Sequence, residues 1–168
     1  FLFNVVQLLR RGAPRPRAPM PPIAGQPLID RLGTQATKAS GVCLPLALGL
    51  LLASRLGWSG EWALAAEHLA ALGWVMLMIV GVAYHVLPRF TGVAVRGVSW
   101  ARAQLACHLG ALLLMVPALA FGWGMLFALG GMLMAGALGL FAWTIWPTLQ
   151  PLQPRPRSIP LTVKEQSR

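Results

Sequence analysis

Acidic side chains are nearly absent, with four Asp and Glu among 168 residues against 14 Lys and Arg. Charged residues of both signs make up only 11% of the chain, where a soluble domain carries about 25%. With 57% hydrophobic residues and a mean hydropathy of +0.65, a water-soluble chain of this size could not hide its apolar surface. The long apolar runs also exclude disorder for most of the chain. A net charge of +10 would suit nucleic acid. The basic residues lie outside the apolar runs rather than on one folded face, so no nucleic-acid partner is expected. Cysteine is scarce too. Cys43 and Cys107 each sit inside an apolar run, and without a CxxC pair they signal neither a thiolate metal site nor a redox couple. There is no HExxH, no Walker loop, no GxGxxG after a strand and no Ser-His-Asp order, so nothing points to hydrolysis or nucleotide chemistry. What remains is one integral membrane unit.

Four apolar runs of 18–26 residues are long enough to span a bilayer as helices: 39–56, 62–87, 101–121 and 125–146. The Gly122-Trp123-Gly124 break is short, which predicts a tight antiparallel hairpin of the last two spans. Before them, Phe1–Leu9 is apolar and ends in Arg10-Arg11-Gly12, so 1–12 is expected as an interfacial helix or the stump of an upstream span. Residues 13–38, rich in Pro and Arg, are expected as an extended cytoplasmic linker. The transmembrane domain is expected over 39–147, and a basic cytoplasmic tail over 148–168. Thirteen of the fourteen Lys and Arg then fall on one side of the membrane, with Arg55 alone on the other. The positive-inside rule places both termini in the cytoplasm, in a bacterial-type inner (plasma) membrane. Trp58, Trp62 and Trp123 mark the outer ends of the spans, and Trp100, Trp143 and Trp146 the inner ends. Only Trp74 is mid-span, where it can pack on something large and flat. Gly49, Ala53 and Gly57, and again Gly131, Ala135 and Gly139, form small-residue stripes that allow close helix approach. The expected fold is therefore all-α: an integral membrane four-helix bundle, N-in and C-in, with a partial or interfacial helix at its N-terminus.

Three histidines lie in or at the edge of these spans, His68, His85 and His108. Ionisable groups at membrane depth are functional candidates, and neutral imidazole is a good ligand for iron. His68 and His85 stand about 25 Å apart along one helix, too far to share an iron. His68 and His108, on adjacent spans and at similar depth, are the best intrachain pair.

The second span with its flanks, EHLAALGWVMLMIVGVAYHVLPRFTG from Glu67 to Gly92, resembles the second helix of subunit I of the haem-copper oxidase superfamily. It is most similar to the cbb3-type oxidases and nitric oxide reductases. There a His opens the helix, a Gly- and aromatic-rich stretch follows, and a Pro motif ends it. That His is an axial ligand of a low-spin haem; it corresponds to His68, and the end motif to Leu87-Pro88-Arg89. The resemblance implies haem b held by His68, with His108 or a residue of a neighbouring subunit as the second ligand to the haem iron. With a haem there, mid-span Trp74 is expected near the macrocycle, and Arg89 is expected to pair with a propionate or with lipid headgroups. His85 stands where the family has a non-ligand residue. The family's complete subunit needs about six histidines and twelve spans, so this chain alone is no complete oxidase or reductase. The expected function is that of a b-type haem electron-transfer subunit of a larger respiratory-type complex. The alternative is a haem-free accessory subunit whose small-residue stripes dock onto a catalytic partner. Expected partners are the lipid bilayer and either other membrane subunits or further copies of the chain.

Overall fold

A computed structural model describes residues 23–58 and 60–150. Among these the chain is all-helical, with four helices long and apolar enough to cross a membrane. They are α1 (Gln26–Arg55), α2 (Trp62–Thr91), α3 (Val98–Phe121) and α4 (Gly124–Leu149). The described chain is thus a multi-pass membrane protein. The N-terminal stump, residues 13–22 of the linker and the tail beyond 150 lie outside the described residues.

The first helix begins well before Ala39. Gln26–Lys38, expected as extended linker, is helical. The proline that argued against helix there, Pro27, sits in the first turn, where no intrahelical N–H bond is needed and a fixed φ is favourable. From that point Ile29, Leu32, Gly33, Ala36, Ser40, Cys43 and Ala47 recur at three- and four-residue spacing and are all buried. One amphipathic stripe therefore runs through the polar segment into the apolar one. Pro88 and Pro147, expected to end their spans, lie inside α2 and α4, which continue to Thr91 and Leu149.

α2 and α3 each touch the three other helices, whereas α1 and α4 do not pack on one another. α1 lies against α2, and α3 pairs with α4 as the expected hairpin. The hairpin turns at Gly122, whose φ of 73° is a left-handed conformation that glycine adopts without Cβ strain. At the α1–α2 crossing Gly33 and Gly81 allow backbone contact. A Cβ on Gly33 would stand 2.8 Å from the Gly81 carbonyl oxygen. Further along, a Cβ on Gly73 would meet Cys43 Sγ at 2.9 Å. Close approach inside the chain uses these glycines and not the two stripes: Gly49, Gly131 and Gly139 have open space where a side chain would stand.

Trp58, Trp62, Phe121 and Trp123 form a chain of ring contacts at one end of the bundle. At the other end Arg96 stacks over Trp143, 3.7 Å from the ring centre. Both aromatic groups lie at helix ends, as an aromatic belt requires.

Candidate functional site

α2 changes its winding directly after His68. Leu69–Met76 is π-helical, between α-helical Trp62–His68 and Leu77–Thr91. Such stretches are rare and concentrate at functional sites, and the change of register leaves a carbonyl without its regular donor. Two histidines bond to α2 carbonyls here, His68 just before the π-helical stretch and His108, from α3, within it.

His68 is half-buried near the Trp62 end of α2. Its Nδ1 stands 2.9 Å from the Leu64 carbonyl oxygen, one turn back. A carbonyl can only accept, so Nδ1 carries the proton and Nε2 is left with its lone pair. The ring edge of Phe127, from α4, packs against the imidazole with centroids 5.8 Å apart. A metal-ligating histidine commonly donates its other N–H to a carbonyl or carboxylate in this way, which fixes the tautomer and the ring plane.

His108, on α3, is fully buried. Its Nε2 donates to the Leu72 carbonyl at 3.0 Å, within the π-helical stretch and one turn beyond His68. Its Nδ1 is then an acceptor, and it has no partner among the described residues. One turn earlier on α3, Gln104 is equally enclosed. Its Oε1 accepts from the Tyr84 hydroxyl at 3.1 Å, while its Nε2 is without a partner. An orphan donor and an orphan acceptor thus lie one helical turn apart inside the bundle. Each unpaired group costs about 1–3 kcal/mol of desolvation. The two histidines do not meet: His68 faces α4 and the surface, and His108 is held in the interior by Leu72.

Trp74 is exposed on α2, and six residues beyond His68 it occupies another side of the helix. Arg89 is engaged within the chain. Its NH2 donates to Asp30 Oδ2 at 2.7 Å and its NH1 to Asp30 Oδ1 at 3.0 Å, a two-pronged pair between α2 and α1. His85 Nδ1 donates to the same carboxylate at 3.1 Å, and Gln26 Nε2 at 2.8 Å. His85 Nε2 lies 3.4 Å from Thr34 Oγ1. Asp30, Gln26 and Thr34 escaped sequence reasoning because their segment was read as linker. The available signal was spacing: Gln26, Asp30 and Thr34 recur every four residues, as do His85 and Arg89.

Among the described residues no three His, Cys, Asp or Glu side chains gather as a metal-binding group. Tested against a haem, His68 could hold the iron through Nε2, because its proton is on Nδ1 and bonded to Leu64. His108 does not stand where it could supply a second ligand beside His68. One ring nitrogen is taken by Leu72, and the other points into packed interior.

Compared with protein-family models, curated proteins and solved structures, the chain matches none.

Proposed function

We propose that the chain is a b-type haem-binding, electron-transfer subunit related to subunit I of the haem-copper oxidases. It works within a larger respiratory-type complex of a bacterial-type inner membrane, both termini in the cytoplasm. The observation that carries this reading is the His68 imidazole, whose Nδ1 is committed to the Leu64 carbonyl and whose Nε2 is left as a lone-pair nitrogen at a half-open position. Bound haem supplies one-electron redox chemistry. The chain's own residues provide the rest. His68 would hold the haem iron through Nε2, while the Leu64 carbonyl keeps its tautomer and raises its basicity and Phe127 limits its rotation. Because His68 is only half-buried in this bundle, a neighbouring subunit or a second copy would have to supply any second ligand. His108 acts as a positioning residue on the π-helical turn.

The test is the reduced-minus-oxidised visible spectrum of membranes containing the assembled protein. A b-type band is expected. His68→Ala abolishes it, while His85→Ala and His108→Phe keep it. A wild-type band in His68→Ala overturns the ligand assignment.

A second reading has its own observation. The outward positions of Gly49, Gly131 and Gly139 leave smooth surfaces on α1 and α4 that no part of the described chain covers, which suits a haem-free accessory subunit packed on a catalytic partner. Absence of any b-type band at full protein yield selects that reading.

A further inference from the structure

At the end of the bundle that holds Asp30 and Arg89, α1 and α3 part and leave an open groove of about 330 Å³. It is lined by Leu32 and Gln35 of α1 and by Arg102, Leu105, Ala106 and Leu109 of α3. Its lining is mainly apolar, with one cation, Arg102. Arg31 and Lys38 stand four residues before and three after Gln35, so by helical spacing both share its stripe on α1. All three cations are exposed, and none has an acceptor among the described residues. The acid at this end, Asp30, is already held by Arg89, His85 and Gln26.

We propose that this groove binds one anionic phospholipid. Its phosphate pairs with Arg102 inside the field of Arg31 and Lys38, and an acyl chain lies along Leu105, Ala106 and Leu109. Depth agrees with this. From Arg102 to Phe121 α3 rises about 28 Å. Arg102 therefore stands about one hydrocarbon thickness from the far end of its helix, at the level of headgroup phosphates. Guanidinium suits a phosphate because its fork donates two parallel bonds. The apolar floor below Arg102 separates a lipid from a free anion, and the uncompensated positive charge separates an anionic lipid from a zwitterionic one. Basic pockets between helices are recognised lipid sites on this physical ground. The proposal does not depend on haem.

Native mass spectrometry of the detergent-solubilised full chain tests it, with phosphatidylglycerol and phosphatidylcholine of identical acyl chains. Phosphatidylglycerol is expected to be retained preferentially. Arg102→Gln, which removes an exposed charge without a structural partner, lowers the preference by about fivefold, the effect of one basic residue near an anionic surface. Ala106→Trp, which fills the floor and leaves every charge in place, reduces retention of the lipid. Arg55→Gln, at the far end, leaves the preference unchanged, and excess inorganic phosphate does not displace the lipid. Equal retention of the two lipids by the wild-type protein overturns the proposal. So does an unchanged preference in Arg102→Gln, or displacement by phosphate.

Discussion

Asp30 gathers donors from two helices, and its carboxylate takes the two bonds from Arg89 and the one from His85 that cross from α2 to α1. Arg89 meets it with both prongs, and the two side chains are 45% and 25% exposed respectively. Partial exposure screens the pair, so its coupling is about 1 kcal/mol rather than the several expected of a buried one. Asp30→Asn, which keeps the shape and removes the charge, should lower thermal stability in detergent by about that amount. Arg89→Gln should do the same. The double variant should be no less stable than either single one, because each already loses the shared interaction. Additive losses in the melting curves would mean that the two residues stabilise the fold separately. None of this bonding is carried by residue type alone. Arg89 in an apolar sequence reads equally as a lipid anchor, a propionate partner or an ion pair, and only the helical course of Gln26–Lys38 decides among them. His68 was more legible, because its place at the head of a Gly- and aromatic-rich span drew attention to it directly. The Leu64 bond that orients it is backbone geometry and leaves no mark in composition.

The helices as elements follow from apolar run length, which is why all four were recognisable in sequence. Their ends were less so. A proline count argued for a linker before Ala39, yet Pro27 is compatible with a first turn, and Pro88 and Pro147 are carried within their helices. The π-helical Leu69–Met76 had no signal, since its residues suit an α-helix equally well. Glycine gave an ambiguous signal, because stripes that permit close packing do not say which helix they meet. The structure separates the two kinds. Gly81 lies against the α1 backbone, where its absent Cβ would collide with Thr37 Oγ1. Ala135 is exposed on α4. Gly81→Leu should therefore push α1 from α2 and abolish recovery of folded protein. Ala135→Leu should leave yield and melting temperature of the isolated chain near those of the wild type. Its effect, if a partner packs on that stripe, appears only when the assembled complex is sized. A large loss of folded monomer in Ala135→Leu would place α4 differently from the arrangement described.

Across the whole molecule the charges are sorted by end. Arg31, Lys38, Arg89, Arg96 and Arg102 lie at one end of the described bundle, and Arg55 lies at the other with Glu61 and Glu67. Four crossings return the chain to the side from which it started, so the beginning of α1 and the end of α4 share a side. That much follows from helix number. The direction proposed above rests on charge, because short basic loops are retained on the cytoplasmic side. The α2–α3 connection is the decisive segment. It is short, it carries Arg96, and its backbone is tied to α4 by the bond from Arg96 N–H to the Thr144 carbonyl at 2.9 Å. A reporter fused after Arg96 should therefore read as cytoplasmic, and one inserted at Gly60 should read as external. Replacing Arg89, Arg96 and Arg102 together by Gln, which leaves the apolar spans intact, should weaken the bias and yield a mixed population. An external signal after Arg96 in the wild-type chain would reverse the assigned direction. It would also move His68 and the lipid groove to the opposite faces of the membrane.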